Sequence, residues 1–531
     1  MQNNQLFIRF ILMVCFLNTI SIVSASNYYV NPSSVSNISD GTYQNPWKTI
    51  DDVNAFAKTF LPGDSVLFKR GENFNGRMYI LSSGTASKPI VFTCYGTGKL
   101  PSFTHSISDV IYVQAQEYII IDSLKIIDNT MDPADHSLLA KISYGIVLDY
   151  SPHCIVRNCE ITLVGIGIAA RQGSDFTTIT GNNIYNLRTV RNTVGGIDDY
   201  GANAMVLGSS DNVVMNNIFR DCWGTSYDFV YDGGAVEFFG SKMNNNRILY
   251  NTAINCNGFA EVGGESTGVA NNNMVAYNKI INCGVTVTFH NNQNGYYTQT
   301  DNFQLYNNVI IDVKNIFTPV LSMFWFADPV NIDRLVLRNN IIWLTTGENV
   351  VTKNINTKNI VHTNNIYKLV GGKLGMELEP TEGFFTNEAL FTGIAGEAEY
   401  WDFRLANGSI AVNYGADIGI DRDFAGKQIL GKPDAGVYET QTVPPPETDN
   451  KLLLNIYPNP TKNYFTVNTI RYQNAWIPLQ LNVYNSSGAL MYKSDGISNV
   501  QYTFGAEFSP GVYTLVARVN GILQTLQLIK L

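Results

Sequence analysis

Short apolar runs recur along most of the chain, and turn-forming residues separate them. Such runs lie at 110–113, 145–148, 204–207 and 285–289, with Gly, Asn, Asp and Ser between them. An Asn followed by a short step and an Ile returns at Asn158, Asn182, Asn216, Asn251, Asn278, Asn307, Asn339 and Asn364. These asparagines are 24 to 35 residues apart, a period that indicates stacked repeats of short strands.

The repeat predicts a right-handed parallel β-helix, an all-β solenoid in which each turn of the coil, or rung, contributes short parallel strands. No long helical pattern interrupts residues 105–365. We expect the recurring asparagines to stack at one corner, where each amide bonds to the rungs above and below. The predicted coil covers 106–440, and a cap with the first rungs covers 26–105.

Composition and charge narrow the range of partners. The 531 residues are 45% hydrophobic and only 15% charged, with a formal net charge of −9. The sequence has no basic stripe that could displace counterions. The negative net charge therefore argues against nucleic acid or an anionic membrane surface as the partner. Low charge with many uncharged polar residues is typical of extracellular β-rich proteins.

Residues 1–25 have the pattern of a secretory signal peptide. Arg9 precedes an apolar stretch at 10–23, and Val-Ser-Ala at 23–25 is a small-residue cleavage site. A transmembrane anchor is the alternative, but the run is short and is interrupted by polar residues. No other stretch has the length and apolar character of a membrane span, so we do not expect an integral membrane protein.

The N-terminal cap is predicted to contain a helix over 49–60, which begins at Thr49 with Asp52 three residues later. An amphipathic helix over the open end of a solenoid keeps its first rung from exposing the core. The segments Asn-Pro-Trp-Lys-Thr-Ile at 45–50 and Pro-Gly-Asp-Ser-Val-Leu-Phe at 62–68 resemble the N-terminal part of secreted, pectin-lyase-like β-helix carbohydrate-active proteins.

The C-terminal part is separated from the coil by a proline-rich linker at 441–450 and forms its own small all-β unit at 451–531. Tyr-Pro-Asn-Pro at 457–460 and Pro-Gly-Val-Tyr at 510–513 resemble the C-terminal sorting domain of the type IX secretion system of Bacteroidetes. That resemblance implies a β-sandwich-like domain recognised by the secretion machinery, and a protein that is secreted or attached to the outer cell surface. A carbohydrate-binding β-sandwich is the alternative.

Three cysteines follow the repeat at similar offsets. Cys222, Cys256 and Cys283 come five or six residues after a repeat asparagine, so they are expected to stack inside the coil as buried thiols. A metal site is the alternative, but the Cys-x-x-Cys spacing and a nearby histidine are missing.

Long rungs must release their extra residues as loops, here at 187–203, 223–234, 291–302 and 319–333. These insertions are rich in aromatic and acidic residues, which suit the apolar faces and hydroxyls of sugars. The alternative is that the aromatic side chains only pack their own loops. The candidate substrate-binding residues in and near the insertions are Trp223, Tyr227, Tyr231, Asp199, Glu265, Tyr296, Trp325 and Lys242.

An acidic pair is the clearest local feature. The runs 235–239 and 259–263 align over 24 residues, so Glu237 and Glu261 are expected to point outward from neighbouring strands about 4.8 Å apart. Two carboxylates that close repel each other, so one should hold its proton, or a cation should lie between them. The same register places Thr288 beside Glu261. The alternative is an ordinary pair of solvated glutamates.

The candidate catalytic residues are Glu237 and Glu261, supported by Asp232 in the preceding turn and by His290 on the same outward face. Glycines flank both strands, which allows a ligand to approach the backbone closely. Shared protons and separated pKa values at such a pair are typical of general acid–base chemistry.

Two chemistries compete for this pair. Glycoside hydrolysis needs two carboxylates on either side of the bond and is the favoured prediction. Elimination on a uronate needs an Arg or Lys base and often calcium, so calcium is the candidate cation while no cofactor is firmly predicted. The available bases are Lys242, Arg220, Arg171 and Arg191, none of which is expected on the acidic face. A non-catalytic glycan-binding surface protein is the third class, and the identity of the polysaccharide is not specified by any motif.

Overall fold

The computed structural model of the protein describes residues 25–105, 108–263, 267–290, 298–314, 316–317, 322–326, 334–345, 347–352, 359–386, 390–440, 453–470, 478–497, 501–519 and 522–531. The predicted signal peptide, apart from Ala25, and the predicted linker therefore lie outside the described residues.

Three long sheets of parallel strands form the coil, which confirms the predicted β-helix. Sheet 1 contains Asn27–Val30, Ser65–Lys69, Ile90–Tyr95, Ile119–Asp122, Ile155–Arg157, Thr178–Thr180, Val213–Met215, Arg247–Leu249, Met274–Ala276, Phe303–Tyr306, Leu335–Arg338 and Ile360–Thr363. Sheet 2 contains Asn73–Asn75, Ser102–Thr104, Lys125–Ile127, Glu160–Thr162, Asn183–Leu187, Ile218–Cys222, Thr252–Ile254, Lys279–Ile281, Val309–Asp312, Ile341–Leu344, Ile366–Leu369 and Gly383–Phe384. Sheet 3 contains Met78–Ile80, Asp109–Gln114, Tyr144–Asp149, Ile166–Ala170, Asn203–Leu207, Gly234–Phe238, Ala260–Val262, Val287–Phe289, Ser322–Phe326 and Asn349–Val351.

The rungs between Ser65 and Val351 contribute a strand to each sheet, and alternate side chains face the axis of the coil. Val236, Phe238, Ala260 and Val262 are buried, as the acidic-pair register predicts. Inward side chains from all three sheets form one continuous apolar core along the coil. The coil therefore presents three outer faces, and the face of sheet 3 carries the acidic pair.

A ladder of buried asparagine amides runs along one corner of the coil, as predicted, but its membership differs from the repeat phrase. Side-chain amides bond from rung to rung at 2.9–3.0 Å through Asn182, Asn217, Asn251, Asn278, Asn308, Asn340 and Asn365. At Asn-Asn pairs beginning at 216, 307, 339 and 364, the second residue stacks. The first adopts a left-handed backbone with φ of 52–59°, a conformation that Asn tolerates better than most residues.

The N-terminal cap contains the predicted helix in a shorter form. The helix spans Ile50–Phe56 rather than 49–60, and Thr49 and Asp52 form a capping box at its start. A turn follows at Ala57, and Phe60 is buried beyond the end of the helix. Ile50 and Val53 pack on the first rungs, so the helix covers the apolar end of the coil.

Cys222, Cys256 and Cys283 are free and buried, which confirms the predicted stack of inward thiols. The thiol of Cys256 interacts with the thiols of the other two, and burial raises its pKa well above the usual value. The thiol of Cys256 is therefore held protonated and unreactive in the folded coil.

The C-terminal end of the ladder is closed by a buried carboxylate. Glu382 accepts hydrogen bonds from the Asn365 amide at 2.6 Å and the Tyr367 hydroxyl at 2.8 Å. Its second oxygen lies 2.7 Å from Nδ1 of His362. Phe391–Gly393 and Asp402–Leu405 pair antiparallel, with a 3-10 turn at Ala398–Tyr400 between them, and residues 390–437 pack on sheet 2.

The C-terminal unit is antiparallel, unlike the coil. Leu453–Tyr457, Phe465–Ile470 and Gln501–Phe504 form one sheet, while Pro478–Asn485, Leu490–Ile497, Gly511–Val519 and Ile522–Lys530 form another. Both sheets share one apolar core. Within the described residues, no helix has the length and apolar character needed to cross a membrane.

Candidate active site

Glu237 and Glu261 stand directly opposite each other on adjacent parallel strands of sheet 3. Thr288 is opposite Glu261 on the next strand, and Trp325 is opposite Thr288. The predicted register of the acidic pair is therefore confirmed, and the pair lies in an outward row of one residue per rung. The role of each residue in chemistry stays a prediction.

Glu237 is held protonated by its surroundings. Burial, then the charges of Glu261 and Asp232, raise its pKa to about 8. The side-chain amide of Asn203, on the preceding rung, donates to Oε2 of Glu237 over 2.5 Å. An amide that donates to one oxygen leaves the proton on the other, so Glu237 is arranged as a proton donor.

Glu261 is ionised although it is the direct neighbour of Glu237. Burial opposes its ionisation, but the charge of His290 and the hydrogen bond from it lower the pKa of Glu261. Nε2 of His290 lies 2.7 Å from Oε1 of Glu261. Burial lowers the pKa of His290, but Glu261 and then Glu237 raise it by more. These shifts favour a protonated His290 and an ionised Glu261 beside the protonated Glu237.

Asp232 approaches the pair from the end of a hairpin formed by Gly224–Ser226 and Val230–Asp232. Oδ1 of Asp232 accepts from the backbone N–H of Gly233 at 2.7 Å, and its Oδ2 is buried without a hydrogen-bond partner among the described residues. Burial, then the charge of Glu261, raise the pKa of Asp232 well above its usual value. The geometry brings all four predicted catalytic side chains to one place.

An open depression of about 220 Å³ lies over the pair, and backbone as well as side chains form its lining. The residues around it are Asn203, Gly233, Gly234, Val236, Glu237, Asn257, Gly258, Phe259, Ala260, Glu261 and Thr288. The backbone conformation at position 233 requires a glycine. Its φ is +106°, and a Cβ there would lie 2.6 Å from Cβ of Ala202.

Two predicted substrate-binding aromatics, Trp223 and Tyr231, pack against each other and against side chains of other loops, and neither lines the depression. The Trp223 ring stacks on His136 with centroids 3.8 Å apart and meets Tyr231 edge-on at 5.6 Å. Phe317 completes this cluster against both rings. Tyr227 is 68% exposed at the tip of the same hairpin and is available to a ligand.

Asp199 also stabilises loops. One of its oxygens accepts from the Thr193 N–H, and the other accepts from the Ser226 hydroxyl and the Asp228 N–H. Carboxylate oxygens of Asp198, Asp199 and Asp228 lie within 4.8 Å of one another, a donor set that suits calcium. Protein N–H and hydroxyl groups already bind these oxygens. The cluster therefore also joins residues 193–199 to the hairpin that carries Asp228. Calcium remains a prediction.

The remaining predicted residues are dispersed. Trp325 is 38% exposed, and its ring meets the ring of His290 edge-on at 5.9 Å, which places it at one end of the acidic row. Lys242 lies in the turn after the Glu237 strand and forms a backbone bridge with Val269. Glu265 and Tyr296 lie outside the described residues.

One residue of the site was not identified from the sequence. Asn203 contacts Glu237, and its position could have been found by aligning 203–207 with 234–238. Arg171, one of the four available bases named from the sequence, continues the strand Ile166–Ala170 of sheet 3 through a backbone bond to Leu148 at 2.8 Å, so it lies on the outer face of that sheet.

The fold and the tail define a secreted parallel β-helix protein. Residues 102–310 match the family model "Right handed beta helix region", and residues 455–530 match "Secretion system C-terminal sorting domain". These matches agree with the parallel β-helix of the structure, and they confirm the resemblance of the tail to a sorting domain.

Known proteins with similar sequence or structure are carbohydrate-active. A lacto-N-biosidase of Bifidobacterium longum is 37% identical over 76 residues, which are 14% of this chain and only 5% of that relative. An alginate lyase from a Paenibacillus species has a TM-score of 0.38 with 16% identity, over 61% of this chain and 95% of the lyase. A lacto-N-biosidase from Eubacterium ramulus has a TM-score of 0.39 with 15% identity, over 65% and 68% of the two chains.

Proposed function

We propose that this protein is a secreted polysaccharide-degrading enzyme, a glycoside hydrolase that uses Glu237 and Glu261. The observation that carries the proposal is a pair of carboxyl groups in register on one outer face, one of which contacts His290 and the other Asn203. Two titratable groups whose pKa values are pushed apart are suited to act as acid and base at neutral pH. The local similarity to a lacto-N-biosidase adds support for a carbohydrate substrate.

In this proposal, Glu237 is the general acid that protonates the oxygen of the departing sugar. Its pKa of about 8 keeps the proton available at neutral pH. Asn203 fixes the orientation of the carboxyl group through Oε2, so that the other oxygen can face the glycosidic oxygen.

Glu261 is then the nucleophile. His290 holds Oε1 at 2.7 Å and keeps the carboxylate ionised, which leaves Oε2 for the anomeric carbon. Adjacent strand positions are about 4.8 Å apart. Retaining glycosidases place their two carboxyl groups about 5–5.5 Å apart and inverting ones about 6.5–9.5 Å. The register therefore favours retention of the anomeric configuration.

The test is incubation of the secreted protein with a panel of plant and algal polysaccharides, with new reducing ends and unsaturated uronate both measured. We expect reducing ends without unsaturated uronate, and a first product that keeps the anomeric configuration of the substrate by NMR. Glu237→Gln and Glu261→Gln should each lower the rate by a factor of about 10² or more. Glu117→Gln, an exposed turn residue, is the matched control.

The alternatives give different results in the same experiment. Unsaturated uronate would establish elimination and exclude the hydrolase assignment. Binding without product, unchanged by either glutamine variant, would establish a glycan-binding surface protein. Full activity of both variants would place the active site elsewhere on the coil.

A further inference from the structure

Arg171 is a cation on the catalytic face that has no anionic partner in the described part of the chain. Its guanidinium lies over the Tyr144 ring, with Cζ 4.8 Å from the ring centroid. The side chain is half-buried and forms no ion pair with any described residue. Asp149, the carboxylate on the neighbouring rung, instead accepts the Tyr112 hydroxyl at 2.7 Å.

The position of Arg171 follows from the backbone register. Backbone bonds link position 171 through Gly208, Phe239 and Gly263 to His290, so these residues form a second outward row beside the acidic row. One rung separates the rung of Arg171 from that of Glu237. Two strand spacings correspond to about 10 Å, so a group bound at Arg171 belongs to a sugar unit other than the reacting one.

The surface between Arg171 and Glu237 has small side chains. The intervening rung contributes Val206 to the acidic row and Gly208 to the second row. On the two preceding rungs the acidic row continues with Ala169 and Val147, which are buried against Tyr112 and Tyr144. A sugar chain that lies along the two rows would thus contact only the small side chains of the intervening rung between Glu237 and Arg171. Arg171, stacked on Tyr144, lies at the end of this surface away from Glu237.

We propose that Arg171, stacked on Tyr144, binds the anionic group of an acidic sugar unit close to the bond cleaved at Glu237 and Glu261. This inference rests on the proposed function of the acidic pair. A guanidinium can donate two parallel hydrogen bonds to a carboxylate or a sulfate ester, and stacking on a ring keeps its plane fixed. A partly desolvated cation without a counter-charge is costly, and an anionic ligand would remove that cost.

Arg77 is a second arginine on the same face, and it has an anionic partner within the protein. It lies over the rings of Tyr79 and Tyr112 at 4.8 and 4.7 Å, and its Nη2 pairs with Asp109 at 2.6 Å. Arg77 and Arg171 both stack on tyrosine rings, but the guanidinium of Arg77 already binds a carboxylate of the protein. The difference identifies Arg171 as the cation left for a ligand.

The test is affinity electrophoresis of the full-length secreted protein in gels that contain polygalacturonate, its methyl ester, a sulfated galactan or the desulfated galactan. We expect retardation by at least one acidic polymer and weaker retardation by its neutral partner. Arg171→Met should weaken the acidic interaction about tenfold, and Arg171→Lys should recover only part of it. Arg247→Met removes an exposed charge from sheet 1 and should change nothing.

Each outcome decides between the proposals. Retardation by polygalacturonate alone identifies a carboxylate, and retardation by the sulfated galactan alone identifies a sulfate. The anion site would be overturned by equal mobility of the wild type and Arg171→Met in every acidic gel. It would also be overturned if neither acidic polymer retarded the protein. Equal melting temperatures of the variant and the wild type are the folding control.

Glu237→Gln separates the two proposals, because it should abolish cleavage and leave the retardation intact. Arg171-dependent binding by a wild type that cleaves nothing would refute the catalytic proposal and keep the anion site. Cleavage of neutral polymers that is indifferent to Arg171 would refute the anion site alone.

Discussion

Nε2 of His290 lies 2.7 Å from Oε1 of Glu261, whereas Glu237 on the adjacent strand receives a neutral amide from Asn203. One carboxyl group therefore has a cation as partner and the other does not. Since the two strands are otherwise equivalent, this difference in partners separates the protonation states of the two glutamates.

The pH dependence of kcat/KM should be bell-shaped, with an alkaline limb near pH 8. The proposed mechanism needs Glu237 protonated, and the pKa of Glu237 is raised to about 8 by burial and then by Glu261 and Asp232. The proposed mechanism also needs Glu261 ionised, so the acid limb should lie below 4.5, because the pKa of Glu261 is lowered. Rates measured from pH 3 to 10 check this prediction. A profile that rises through pH 8 would contradict the acid role of Glu237.

His290→Gln should move the acid limb to higher pH and reduce kcat by about tenfold or more. The imidazolium lowers the pKa of Glu261, so its loss lets Glu261 hold a proton at higher pH. His153→Gln is the matched control, because that ring stacks on Tyr118 at 4.9 Å on another face of the coil. An unchanged acid limb in His290→Gln would remove His290 from the site.

Asn251→Ala should destabilise the coil by at least about 2 kcal/mol, since it leaves several buried polar groups without partners. Asn251 accepts from the backbone and side chain of Asn217, and its amide donates to Val214 O and to Asn278. Asn75→Ala removes an exposed asparagine of sheet 2 and should cost less than about 0.5 kcal/mol. Denaturant unfolding of both variants measures the difference, and equal midpoints would show that the ladder is not stabilising.

Glu439→Gln should flatten the dependence of stability on pH between about 4.5 and 8. Burial, then the charge of Asp434, raise the pKa of Glu439 from 4.5 to about 8. The folded state therefore binds this proton more tightly than the unfolded chain, and stability falls as the pH rises through that window. The variant should be more stable than the wild type at pH 9 by a few kcal/mol.

Melting temperatures at pH 5, 7 and 9 measure the effect of Glu439→Gln. Glu377→Gln is the control, because this carboxylate is exposed. If Glu439→Gln shows the same pH slope as the wild type, the carboxyl group of Glu439 does not hold its proton in the folded protein.

The sequence alone determined the architecture and the acidic pair. The chain repeats every 24–35 residues, and a single rung of that length has no core of its own. The apolar runs are therefore buried only when the rungs stack into a coil. Period-two alternation and the equal spacing of two similar strands then placed Glu237 opposite Glu261, since register is specified wherever one face of a strand is buried.

Only the tertiary structure decided which residues surround that pair. The second asparagine of each Asn-Asn pair stacks because the first takes the turn conformation, a choice that depends on the corner of the coil. Trp223 packs on His136 from a distant loop, and Arg171 reaches the catalytic face because successive rungs bring position 171 into the row of His290. Such contacts join residues far apart in the chain. Their pairing depends on how loops of unequal length fold over the coil, which local sequence patterns do not specify.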